Sequence, residues 1–166
     1  MKWADHVTRW APEFDPSSEW HDPGTFTCFS GNCLDYAINR LPNQFTDPPA
    51  LRIRPADTAA DIRRGLRKLG LRQVPRWSLW SPIGRMWCRG EGHLVAVAFG
   101  PDTVPLRVPP TDYHLYRLDR SGRWSHKPGD KAALDVDASG ARILDPRSAD
   151  RDEYPDFLGY WWVCHR

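Results

Sequence analysis

Along the first half of the chain the apolar residues recur at helical spacing; along the second half they alternate or run together as strands do. Leu34, Ala37, Ile38 and Leu41 fall on one helical face, with Asn32 as N-cap, Cys33 at the first helical position and Pro42 as the stop. A second helix follows Thr58 and Asp61, which have the spacing of a capping box. Ile62, Leu66 and Leu69 make its apolar stripe, Gly70 its C-cap, and Arg63, Arg64, Arg67 and Lys68 its solvated face. Between the helices Asp47-Pro48-Pro49 is a link and Leu51 to Arg54 a short strand. From Gly90 the pattern changes. His93 to Phe99 reads as a buried strand ended by Gly100-Pro101, and Tyr113 to Asp119 and Arg123 to His126 flank the hairpin turn Arg120-Ser121-Gly122. Ile143-Leu144 reads as a short strand before Asp145-Pro146, and Gly159 to Cys164 as a final aromatic strand.

Helices first, then strands with hairpin-length connections, is the order of an α+β fold with an antiparallel sheet. Residues 1–24, rich in Trp, Asp and Pro and closed by the turn His21-Asp22-Pro23-Gly24, form an irregular arm with room for one short helix. The whole of 1–166 reads as one domain. Nine tryptophans, six phenylalanines and five tyrosines supply apolar area for a core. The formal charge is +2 and the basic residues are scattered, which speaks against nucleic acid as a partner. No run approaches the roughly 18 apolar residues of a membrane span. The first residues, with Asp5, His6 and Glu13, lack the basic-then-apolar pattern of a secretory signal. The expectation is a cytoplasmic protein, or one exported without a common signal peptide, of no stated oligomeric order.

The four cysteines, Cys28, Cys33, Cys88 and Cys164, have no paired zinc-ligand spacing, so neither metal nor cofactor is expected. Cys33 stands apart because a helix N-terminus directs unpaired N–H groups and the macrodipole at its sulfur, which favours the thiolate. Its own N–H is a possible oxyanion donor. A thiol nucleophile needs an imidazole to take and return a proton, and a polar group to orient that imidazole. His114, inside a strand, is the first choice, and His126 should lie roughly opposite it across the hairpin. His93, which opens the buried strand, is its rival. Asp145 is the favoured orienting group, with Asp112 and Asp119 as alternatives.

A cysteine opening a helix, followed by a strand-borne histidine and then a polar residue on another strand, resembles the papain-like cysteine hydrolases. His93-Leu94-Val95-Ala96-Val97 is similar to the strand bearing the catalytic histidine in NlpC/P60 and CHAP peptidoglycan hydrolases. Ile143-Leu144-Asp145-Pro146 is similar to the strand bearing the catalytic aspartate in bacteriocin-processing peptidases. The segments Asn32 to Ala37 and Tyr113 to Gly129 also resemble those of a bacterial family with no assigned substrate. The resemblance implies a papain-like domain, N-terminal helices on an antiparallel sheet, cleaving an amide bond through an acyl-thioester. Its substrate would be a protein or peptide, peptidoglycan included, as for a bacterial effector protease. The roles implied are Cys33 as nucleophile, His114 or His93 as base, Asp145 as orienting group, and the Cys33 N–H at the oxyanion with Asn32 or Ser30 as its side-chain partner. Thr27 stands near where many papain-like enzymes carry an oxyanion glutamine.

Two other classes compete. In one, the chain is a non-catalytic protein-binding domain whose Trp77, Trp80 and Trp87 line a recognition groove, since tryptophan is enriched at interface hot spots. In the other, Cys33, His114 and His126 bind zinc, though they are scattered along the chain.

Overall fold

A computed structural model describes residues 3–14, 16, 33–39, 58–75, 90–101, 111–128 and 131–165. Among them are three helices, α1 (Trp3–Thr8), α2 (Cys33–Ile38) and α3 (Ala59–Lys68). Five strands follow in the chain: β1 (Arg72–Val74), β2 (Gly92–Pro101), β3 (Thr111–Leu118), β4 (Trp124–His126) and β5 (Asp156–Cys164). They form one antiparallel sheet in the order β1-β5-β2-β3-β4. This is the α+β class that the apolar pattern predicts. No feature of the described residues singles out a papain-like arrangement within that class.

The near-continuous apolar run of β2 has a simple cause: both faces of the sheet are covered. On one face Leu94, Ala96, Tyr116, Tyr160 and Trp162 pack with Val7 of α1 and with Ile143. On the other, Val95, Val97, Leu115 and Trp161 pack with Leu34 and Ala37 of α2 and with Ile62 and Leu66 of α3. Each strand residue alternates between these two cores. The central β2–β5 pairing has one irregularity: Val97 faces Gly159 but Ala98 faces Phe157, so Leu158 is an extra, buried residue on β5. Gly159 takes a φ of 117° there, which a side chain would resist.

Local signals account for most boundaries. Thr58 and Asp61 form the expected capping box at the start of α3. The helix ends in a Schellman motif: Gly70, at φ 87°, bonds back to Arg67 O, and Leu71 N–H to Leu66 O at 3.0 Å. The three-residue hairpin loop also follows its composition. Gly122 N–H reaches Asp119 O at 2.9 Å and Gly122 has a φ of 80°, a type I turn continued by a left-handed glycine.

Three expectations need correction. α2 ends at Ile38, not near Pro42, because Asn39 adopts a left-handed φ of 54°, which asparagine tolerates. Ile143-Leu144 is not a strand: Ile143 is buried, Leu144 is 86% exposed, and only an Arg142–Val136 bridge flanks them. The edge strand β1 was not read from the sequence, being three residues long. The proposed strand Leu51 to Arg54, the link at 47–49 and most of the arm 1–24 lie outside the described residues.

One polar residue ties these parts together. Arg117 of β3 is 1% exposed. Its Nε donates to Asp119 Oδ1 at 2.8 Å, and Nη1 donates to Tyr36 O at 3.1 Å and Asn39 Oδ1 at 3.4 Å. Nη2 donates to the Tyr36 hydroxyl at 2.9 Å and Glu13 O at 3.2 Å. A guanidinium has five N–H groups, and all five are used. Its plane also lies over the Tyr36 ring, 4.0 Å from the centroid. Replacing Arg117 with Ala should lower unfolding stability by roughly 3–5 kcal/mol, because Asp119 is left buried and unpaired. Arg117→Lys, with three donors and no planar fork, should also destabilise, by more than about 1 kcal/mol. Urea denaturation checks both, and an Arg117→Lys midpoint equal to wild type would contradict this account.

Candidate functional site

Cys33 opens α2, as the sequence implies, yet its sulfur is buried among Leu34, Tyr113 and Leu115. Its thiol lies 3.7 Å from the backbone O of Tyr113 as donor. Burial, with a smaller push from Asp112, raises its pKa to about 12. The helix-end effect is worth only about 0.3–1 kcal/mol, less than one pKa unit, and α2 has six residues. Desolvation therefore outweighs the dipole, and the thiolate expected from helix position does not form at neutral pH. Asn32 and Ser30, the side-chain partners implied at the oxyanion, lie outside the described residues, as do Cys28, Cys88 and the tryptophans Trp77, Trp80 and Trp87.

The other two members of the expected triad bond elsewhere. Strand alternation puts the His114 ring on the face of Tyr116, away from the Leu115 face on which Cys33 packs. Asp145 bonds to the Tyr160 hydroxyl and to Arg147, and its backbone and side chain organise the turn at 145–149. Its sequence signal, Asp-Pro after an apolar pair, marks that turn. Of the alternatives, Asp119 is the partner of Arg117, and Asp112 accepts from its neighbour's N–H and from the Tyr154 hydroxyl at 3.1 Å.

What the fold does assemble is two histidine pairs. His114 Nε2 and His126 Nδ1 lie 2.6 Å apart, with their rings nearly perpendicular at 88°. The pairing expected across the hairpin is thus present, but it is diagonal: His126 stands opposite Tyr116, not His114. The extra left-handed residue of the loop, Gly122, shifts the register. The second pair was not foreseen. His93 Nδ1 lies 2.9 Å from His165 Nε2, and its own Nε2 lies 2.6 Å from Ala37 O at the end of α2.

The partners fix where the protons sit. A carbonyl only accepts, so His126 Nε2 donates to Val136 O at 3.0 Å and His93 Nε2 donates to Ala37 O. In the neutral rings Nδ1 is then the acceptor, and His114 Nε2–H and His165 Nε2–H are the donors. Each pair is a directed chain from one imidazole through another to a main-chain oxygen. Tyr154 stacks on the His114 ring with centroids 5.1 Å apart, closing that pair from the loop side. Among the described residues no three His, Cys, Asp or Glu side chains are gathered for a metal ion, so Cys33, His114 and His126 do not form the zinc set considered above.

A separate concavity, of 840 Å³, runs beside β1. Arg67, Arg72 and Arg147 border it, and Val74, Phe157 and Tyr160 contribute to its apolar lining. In the sequence Arg67 belongs to the solvated face of a helix, and no motif marks Arg72 or Arg147. No local signal could have gathered three arginines from a helix, an edge strand and a loop.

Burial lowers the pKa of both His93 and His114 to about 3, and it lowers that of His126 as well. The sign follows directly: the unfolded chain takes up protons near pH 6.5 and the folded chain resists them until about pH 3, so stability falls as pH falls through that window. At pH 5 His93 and His114 should each cost about 2 kcal/mol relative to pH 7.5. Urea midpoints at the two pH values test this; His114→Gln should flatten the dependence, and a wild-type stability unchanged between them would contradict the assignment.

No family model and no solved structure matches the chain. It is 56% identical over 137 residues to "Insoluble matrix shell protein 1" of Ruditapes philippinarum, an alignment spanning 81% of this chain and 80% of that protein. That relationship overturns the likeness to papain-like hydrolases and bacterial effector proteases, which rested on short motifs and element order. No helix among the described residues is long and apolar enough to cross a membrane. On an identity of this extent, the chain belongs to the family of insoluble matrix shell protein 1.

Proposed function

We propose that this chain is a non-catalytic structural domain that acts by binding other components of an extracellular matrix. The observation that carries the reading is the relationship to insoluble matrix shell protein 1 over four-fifths of both chains. The chemistry of the interior agrees with it. The Cys33 thiol is raised to about 12, His93 and His114 are held neutral, and Arg117 has all its donors occupied within the fold. These groups stabilise a scaffold and leave no activated nucleophile among the described residues. The name of the relative supports an extracellular location, reached by export, over the cytoplasmic alternative.

Partition is the direct test. Purified protein mixed with demineralised, acid-washed shell matrix should sediment with the insoluble fraction, while serum albumin at the same concentration stays in solution. Complete recovery in the supernatant would count against the proposal. A second measurement addresses the thiol. In native protein at pH 8, iodoacetamide should modify Cys33 on the order of a thousandfold more slowly than free cysteine, and rapidly once urea unfolds the chain. Fast, selective alkylation of native Cys33 would overturn the non-catalytic reading.

A further inference from the structure

We infer that the connection between β4 and β5 is an acid-released flap: residues 131–155 leave the sheet as one body when the His114–His126 pair takes up a proton. The inference stands apart from the matrix-binding reading. Its first support is the contrast between what shapes the connection and what seats it. Asp137 accepts from the N–H groups of Ser139, Ala141 and Asp150 at 3.0 Å each, and Ala138 N–H donates to Asp150 O at 3.1 Å. Arg151 donates to the carbonyls of Pro146, Tyr154 and Pro155 at between 2.7 and 3.0 Å. These bonds lie within the connection and survive its departure. The seat is built around the histidines. Two main-chain bonds of 2.8 Å join Leu134 to His126, whose ring donates to Val136 O at 3.0 Å, and Tyr154 stacks on His114 while donating to Asp112. Asp145 bonds the Tyr160 hydroxyl, and Ile143, Ala149 and Tyr154 pack on the face of Tyr116, Trp124 and Tyr160.

The second support is Gly100 of β2, which lies directly under the connection. A methyl group there would overlap Glu153 O and stand 2.9 Å from Cδ of Pro155. Its φ is outside the left-handed region, so the glycine serves this close approach and not the strand's own conformation. The third support is where a proton would go. A proton on His126 Nδ1 would set two N–H groups head to head across 2.6 Å, and one on His114 Nδ1 would charge a ring that is 4% exposed. The groups facing the pair do not offset that cost. Tyr116 and Tyr154 present neutral rings, burial having raised their phenols, and Cys33 across the sheet is a neutral thiol. Asp137 favours protonation of His126, but burial outweighs it. Asp150 and Arg151 act on Tyr116 in opposite senses, and Asp112 and Glu153 act on Tyr154. Once the connection leaves, both rings meet water and regain ordinary basicity, so acid favours the released form.

Hydrogen exchange of the full chain, read by mass spectrometry at pH 7.5 and pH 5 with each rate divided by its intrinsic rate, tests the release. Peptides within 131–155 should lose protection by about 30-fold between the two values, the ratio for one ring that titrates near 6.5 only when released. Peptides of β2 and β5 should remain the more protected at both. His114→Gln should remove the pH dependence of the connection, whereas His93→Gln, on the other face, should leave it in place. Gly100→Ala should lower the protection of 131–155 at least tenfold at pH 7.5, with β2 and β5 still more protected than the connection. Thermal unfolding checks that each variant folds; if His114→Gln does not, the wild-type profile and Gly100→Ala decide. A loss below threefold in the wild type, equal protection of the connection and of β2 and β5 at pH 5, a pH dependence abolished by His93→Gln, or unchanged exchange in Gly100→Ala would each overturn the inference. Sedimentation with the insoluble matrix at neutral pH would be untouched by such a failure.

Discussion

The guanidinium of Arg117 is the point on which α2, the hairpin and the N-terminal arm converge. It projects from β3 into an interior where an unpaired charge would be costly, and it is tolerated because five acceptors surround it. Two of the five are in Tyr36 of α2, one is in Asn39 just beyond that helix, one is in Asp119 at the hairpin and one is the carbonyl of Glu13. Tyr36 in turn hydrogen-bonds Ser125 of β4 at 2.7 Å. Apolar packing would let these elements slide; five directed bonds from one planar group do not. The left-handed turn at Asn39 and the position of α2 on the sheet follow from that geometry.

The same logic of partnered polar groups recurs where the chain has little regular structure. Asp137 accepts from the N–H groups of Ser139, Ala141 and Asp150, and Arg151 donates to the carbonyls of Pro146, Tyr154 and Pro155. These two side chains order the long connection between β4 and β5, which carries Ile143 into one core and Tyr154 onto His114. The histidine pairs are held in the same way, each ending on a main-chain carbonyl. Burial favours the neutral forms of His93, His114 and His126, so these three serve as hydrogen-bonding parts of the interior at ordinary pH and become a liability in acid.

Cys33 shows how two true statements about a residue can differ in weight. It does begin a helix, and helix N-termini do favour thiolates. The preference is small, however, and loss of water around the sulfur is larger and of opposite sign. Burial is a property of the packed molecule and is invisible in a local motif. Short motifs in the right order misled the functional reading for the same reason, since they carry neither burial nor the direction in which a side chain points.

The sequence by itself determined the elements whose causes are local. The capping box and Schellman glycine of α3, the apolar stretches within β2 and β5, and the glycine of the hairpin are legible, because each depends on residues a few positions apart; the ends of the strands are not, for β2 runs from Gly92 to Pro101 and β5 begins at Asp156, ahead of Gly159. The α+β class followed from their order. Tertiary structure decided the rest. It placed His114 on one face of the sheet and packed Cys33 against the other, turned Asp145 toward Tyr160, paired His93 with His165, and brought Arg67, Arg72 and Arg147 to one groove. Those outcomes depend on strand register, on a one-residue bulge at Leu158 and on which surfaces lose water, none of which is encoded at short range.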